Sequence, residues 1–134
     1  MRKFLLALCF SLLSLGGAAA DLPAIAGLKA FRQPMDEIVR EAGKGRDADF
    51  AVVGKSYAAA GAAWKQVMSE PLDLDRYGVP AGRQEETWRQ VRTLGMLMGY
   101  LEEAIRRGDR TLMLRSAAML PPAYEKLAAA LGMR

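Results

Sequence analysis

The stretch "DFAVVGKSYAAAGAAWKQVM" constrains this chain more than any other. Phe50, Val53, Tyr57, Ala60, Trp64 and Val67 recur at steps of 3, 4, 3, 4 and 3. On a 3.6-residue repeat those steps stack the side chains along one face, whereas a strand would scatter them over two. The spacing predicts a helix over 47–69, with Asp47 or Asp49 as its N-cap and Pro71 just beyond its end. Gly54 and Gly61 each cost about 1 kcal/mol relative to alanine in such a helix. Their presence suggests a neighbouring helix that approaches closely at those points.

The same period continues downstream. Over 83–107, Trp88, Val91, Leu94, Met98, Leu101 and Ile105 fall toward one side, and "RRGDR" closes the pattern. Basic residues suit the negative end of a helix, and Gly108 suits a left-handed exit. Asp109 can cap a last helix that carries Met113, Ala117, Leu120, Tyr124, Leu127 and Leu131. Pro121 and Pro122 interrupt it, which predicts a kink or a short break near Leu120. The first helix is read from "PMDEIVREA": Pro34 in its first turn, Asp36 and Glu37 at its positive end, and Met35, Ile38, Val39 and Ala42 facing inward. Gly43 or Gly45 ends it, and residues 22–32 add a turn or two. Tight connections near 44–46 and 108, with one long link over 69–82, predict an all-α, up-down-up-down antiparallel four-helix bundle, its last helix kinked at Pro121-Pro122.

The chain opens "MRKFLLALCFSLLSLGGAAADLP". A basic start, an apolar run from Phe4 to Leu15 and small residues at Ala18-Ala19-Ala20 make residues 1–20 a signal peptide, cleaved before Asp21. The expectation is a periplasmic protein with one domain over 21–134 and no membrane span. The only cysteine, Cys9, leaves with the signal, and there is no histidine anywhere. Arg2 and Lys3 leave too, two of 19 basic residues against 15 acidic ones, so the formal net charge falls from +4 to +2. So mild an excess, mixed in sign, argues against nucleic acid as a partner.

Those absences exclude much chemistry. Disulfides, thiolate nucleophiles, thioether haem attachment and histidine bases are all ruled out for residues 21–134. Neither G-x-S-x-G nor a Gly-rich phosphate loop is found. The expectation is that the protein is not an enzyme. Met68, Met96, Met98, Met113 and Met119 could suggest a copper(I) site. However, Met96 and Met98 are two residues apart on a helix and face different ways, so core packing is the better reading. Glu102 and Glu103 are read as solvated partners of Arg106 and Arg107 at i+4.

A signal peptide, four helices, a long middle loop and the short pieces "PMDEI", "GYLEEAIRRGD" and "AYEKL" together resemble the periplasmic four-helix-bundle cytochromes. These are the soluble b-type bundle cytochromes and the cytochromes c prime. In the b-type family a methionine on the first helix and a histidine on the last hold the haem iron. By resemblance Met35 matches the first position and Glu125, which follows Ala123-Tyr124 where the family has its histidine, matches the second, so these are the two cofactor-binding positions that the resemblance implies. The Cys-x-x-Cys-His of the c prime branch is absent.

The resemblance therefore implies the scaffold with its ligands lost, a haem-free bundle that binds a protein partner or a small apolar ligand. Trp64, Trp88, Met98 and Tyr124 are the candidate pocket for it. Two alternatives stand beside this reading. One is a haem- or metal-binding electron-transfer protein ligated by Met35 with Tyr57, Tyr100 or Tyr124. The other is an envelope-stress or chaperone-like helical protein. The sequence leaves both a monomer and a homodimer open.

Overall fold

The computed structural model describes residues 22–133, so the expected signal peptide and its cleavage point lie outside the described residues. Four helices account for most of the chain: α1 (Pro23–Ala42), α2 (Phe50–Val67), α3 (Gln84–Arg107) and α4 (Arg110–Ala130). They pack as an antiparallel bundle, and there is no strand among the described residues. α1 lies closest to α2, and α3 to α4. The two hairpins meet mainly through α1 and α4, and less through α2 and α3.

The helix ends follow local chemistry. Asp49 accepts a hydrogen bond from the Ala51 N–H at 2.8 Å, and Asp109 accepts one from the Leu112 N–H at 3.0 Å. Each satisfies a donor that the first turn would otherwise leave unpaired. Gly108 sits at φ +65°, the left-handed exit expected of it. At the end of α1, Gly43 stays helical and Gly45 makes the reversal, at φ +62°. α1 itself has no side-chain cap. The long link supplies one: the Ala24 N–H donates to the Tyr77 hydroxyl at 3.0 Å.

One expectation about proline is corrected and another is narrowed. Pro34 does not start a helix but lies inside α1, which begins at Pro23. Asp36 and Glu37 are consequently mid-helix and not at its positive end. The reason is packing. Leu28, Phe31, Met35 and Ile38 are fully buried on one stripe that runs across Pro34. Burying each is worth about 1.5–3 kcal/mol, against about 3 kcal/mol for an interior proline. α4 likewise runs unbroken from Arg110 to Ala130 through Pro121 and Pro122. Of the expected kink or short break, the break is absent.

The predicted core of α4 is buried throughout: Met113, Ala117, Leu120, Tyr124, Leu127 and Leu131. α2 is turned slightly from its expected face. Val53, Ser56, Ala60, Ala63 and Val67 are buried, whereas Phe50, Tyr57 and Trp64 are half-buried flanks. Small residues face α1 because that helix is close. A Cβ added to Gly27 would lie 2.6 Å from Val67 Cγ2, 2.7 Å from Val67 N and 3.0 Å from Ala63 O. Gly54 and Gly61 are not the points of close approach. A Cβ at Gly54 would meet only Ile105, at 3.7 Å, and one at Gly61 would meet nothing within 4 Å.

At the α1–α2 turn, Glu41 is buried and accepts hydrogen bonds from the Asp49 N–H and from Lys44 Nζ, both at 2.9 Å. The backbone donor first, and then Lys44, hold its carboxyl below the ordinary value of 4.5. A depressed acid stabilises the fold fully above its unfolded pKa, and that contribution is lost as pH falls through the folded value. Glu41→Gln should therefore lower Tm at about pH 7, and its gap from the parent should shrink toward about pH 3. Thermal melts across that range test it, and a gap independent of pH would refute the ionic contribution.

Candidate functional site

Two concave sites matter. The larger is a cleft of about 610 Å³ at the bundle end where α1 starts, α4 finishes and the long link crosses. Leu22, Ile25, Tyr77, Leu131 and Met133 give it apolar surface, Tyr124 lies at its inner side, and Lys29, Arg32 and Arg76 line it as cations. The second, of about 470 Å³, is a groove between α2 and α3 lined by Tyr57, Gly61, Trp64, Lys65, Met98 and Glu102.

The end cleft has a firm wall. Leu74 and Val79 of the long link are buried, and Val79 N–H and Tyr77 N–H both donate to the Leu74 carbonyl. Gly78 turns the chain at φ +73°. Gln84 Nε2 donates to Asp75 Oδ1 at 2.6 Å and to Val79 O at 3.1 Å, tying the link to the start of α3. The Tyr77 hydroxyl, held by the Ala24 N–H, fastens the same segment to α1. Arg76 is thus carried on a braced turn.

Behind the cleft lies an aromatic cluster of the core. Tyr124 stacks on Phe31 with ring centroids 5.9 Å apart and planes 9° apart, and Phe31 meets Trp64 edge-on at 6.3 Å. The Tyr124 hydroxyl donates to the Leu28 carbonyl at 2.8 Å. Arg32 lies over the Tyr124 ring, 5.6 Å from its centroid, and pairs with Glu125 at 3.2 Å.

The residues predicted as a single pocket are divided. Tyr124 belongs to the end cleft, Trp64 and Met98 to the α2–α3 groove, and Trp88 lines neither. Glu102 does not pair with Arg106. It accepts a hydrogen bond from the Tyr57 hydroxyl at 3.0 Å, while Glu103 pairs with both Arg106 and Arg107. Glu125 points outward and pairs with Arg32 on α1. The methionines do not gather: Met98 and Met113 are buried, and Met68, Met96 and Met119 are exposed.

Haem does not fit the donors present. Met35 is sealed in the core and lines neither cleft, while the Glu125 side chain is more than half exposed and already paired. A phenolate ligand is disfavoured as well. Burial first, and then the hydrogen bond donated to the Glu102 carboxylate, push the Tyr57 phenol up to about 12. Burial also raises Tyr124 above its ordinary 10.0. Iron ligation needs such groups gathered on one open cavity. Here they are spread over the core, the outer surface and two separate depressions.

Among the described residues, no group of acidic, histidine or cysteine side chains could hold a metal ion, and no helix is long and apolar enough to cross a membrane. No family model, curated protein or solved structure matches the chain, and so nothing in those comparisons links it to the cytochromes.

Proposed function

We propose that this is an exported, non-enzymatic binding protein, a haem-free bundle that takes a small, largely apolar ligand in the end cleft. The observation that carries this is the cleft itself: about 610 Å³, partly apolar, and walled by a link that is hydrogen-bonded onto two helices. Its volume lies within the range of small-molecule sites, and a braced wall reduces the ordering cost of binding. The donor set argues against the haem alternative, and the signal-like start supports export to the periplasm.

The test combines two titrations of the purified protein. Nile red, a neutral apolar dye, should brighten on saturable one-to-one binding, and Ile25→Trp, which fills the cleft, should abolish that binding while leaving Tm nearly unchanged. Added haem should give no sharp, stoichiometric Soret shift. A haem complex lost in Met35→Ala would instead establish the electron-transfer reading. Mass analysis of the protein recovered from the periplasm should give a chain beginning at Asp21.

A further inference from the structure

We propose that the ligand of the end cleft is an amphipathic anion, with a carboxylate or phosphate head and a short apolar tail. This rests on the end cleft being the binding site, and adds the charge of what it binds. Among the described residues, every charged side chain that lines the cleft is cationic.

Arg32 and Arg76 come from different elements, one from the middle of α1 and one from the braced turn of the long link. Their present partners are weak. Arg76 is 3.8 Å from Glu70, and Arg32 is 3.2 Å from Glu125 and 4.0 Å from Asp36, all of them on exposed side chains. Surface pairs of this kind contribute little and exchange readily. An anionic head lodged between two guanidinium groups gains charge-assisted hydrogen bonds in a partly desolvated site, where they are stronger than in open water. Glu70, Asp36 and Glu125 do not line the cleft, so they set the competition without occupying it.

The cleft also has apolar lining. Leu22, Ile25, Leu131 and Met133 offer no hydrogen-bonding side chain and suit an alkyl tail. A purely apolar ligand would leave the arginines unused. A small inorganic anion would leave this lining wet. An amphipathic anion satisfies both.

The experiment is calorimetric titration of the whole purified protein with dodecanoate, dodecyl phosphate, dodecanol and dodecylamine, each below its micelle concentration and at low salt. Dodecanoate or dodecyl phosphate should bind at least about tenfold more tightly than dodecanol, and the order of the two identifies the head group. Arg76→Gln should bring the anions close to the alcohol and leave dodecanol unaffected. Arg89→Gln, at an exposed side chain of α3 that does not line the cleft, should change neither. Added salt should narrow the preference. Equal binding of dodecanol and dodecanoate, or tighter binding of dodecylamine, overturns the charge assignment while Nile red binding preserves the site. Failure of all four probes and of Nile red overturns the site along with it.

Discussion

Tyr124→Ala should destabilise the protein by about 3–5 kcal/mol, the range for deleting a large buried aromatic side chain. Tyr124 is 1% exposed and stacks on Phe31, which in turn meets Trp64, so its ring joins α4 to α1 and through α1 to α2. Removing it leaves Phe31 with an open face and Arg32 without the ring beneath it. A domain of this size is held by roughly 5–15 kcal/mol, so the loss is a large share of the total. Tyr124→Phe separates ring from hydroxyl. The Leu28 carbonyl loses one donor but can keep its helical partner, and the cost should be about 1 kcal/mol. Urea denaturation at fixed pH reads both values. If alanine costs no more than phenylalanine, the aromatic cluster is not what holds α1 to α4.

Much of the fold could be read from the apolar period because burial and period are the same physical fact seen twice. All six residues predicted for the core of α4 are buried, and Gly108 and Asp109 act as their types require. α1 is legible too, although the proline rule alone misplaces its start. Ala24, Leu28, Phe31, Met35, Ile38 and Ala42 recur at steps of 4, 3, 4, 3 and 4 straight across Pro34. Pro23 and Pro34 both satisfy the local rule for a first turn. Only the uninterrupted apolar stripe decides between them, and it favours Pro23.

The site was much less legible. A pocket lined by Trp64, Trp88, Met98 and Tyr124 would require large inward side chains to leave space, whereas in a close-packed bundle they fill it. The end cleft is built from the first half of α1, Tyr124 of α4, the residues just after α4 and two residues of the long link, brought together only by the fold. Arg76 and Tyr77 lie in "DLDRYGVP", where no period operates. The available signal was Gly78, which marked a tight turn. It could not show that the turn would fold back to cap α1 through Tyr77.

Gly27→Ala should cost about 1–3 kcal/mol, although alanine is the better helix former. Inside an exposed helix the change would be worth about 1 kcal/mol in the opposite direction. At Gly27 the new methyl would meet Val67 N at 2.7 Å and Ala63 O at 3.0 Å, both of them backbone atoms of α2. A flexible side chain could move aside at little cost, but the backbone yields only if α1 and α2 separate. That separation would loosen the contacts of Ala60, Ala63 and Val67 in the most extensively packed helix pair of the bundle. Gly61→Ala on α2 is the matched control, because its added Cβ meets nothing within 4 Å. It should raise stability by up to about 1 kcal/mol. Two chemically identical changes on neighbouring helices are thus expected to have opposite signs. Equal effects in urea melts would mean that helix propensity, and not close approach of the backbones, decides the fate of a glycine in this bundle.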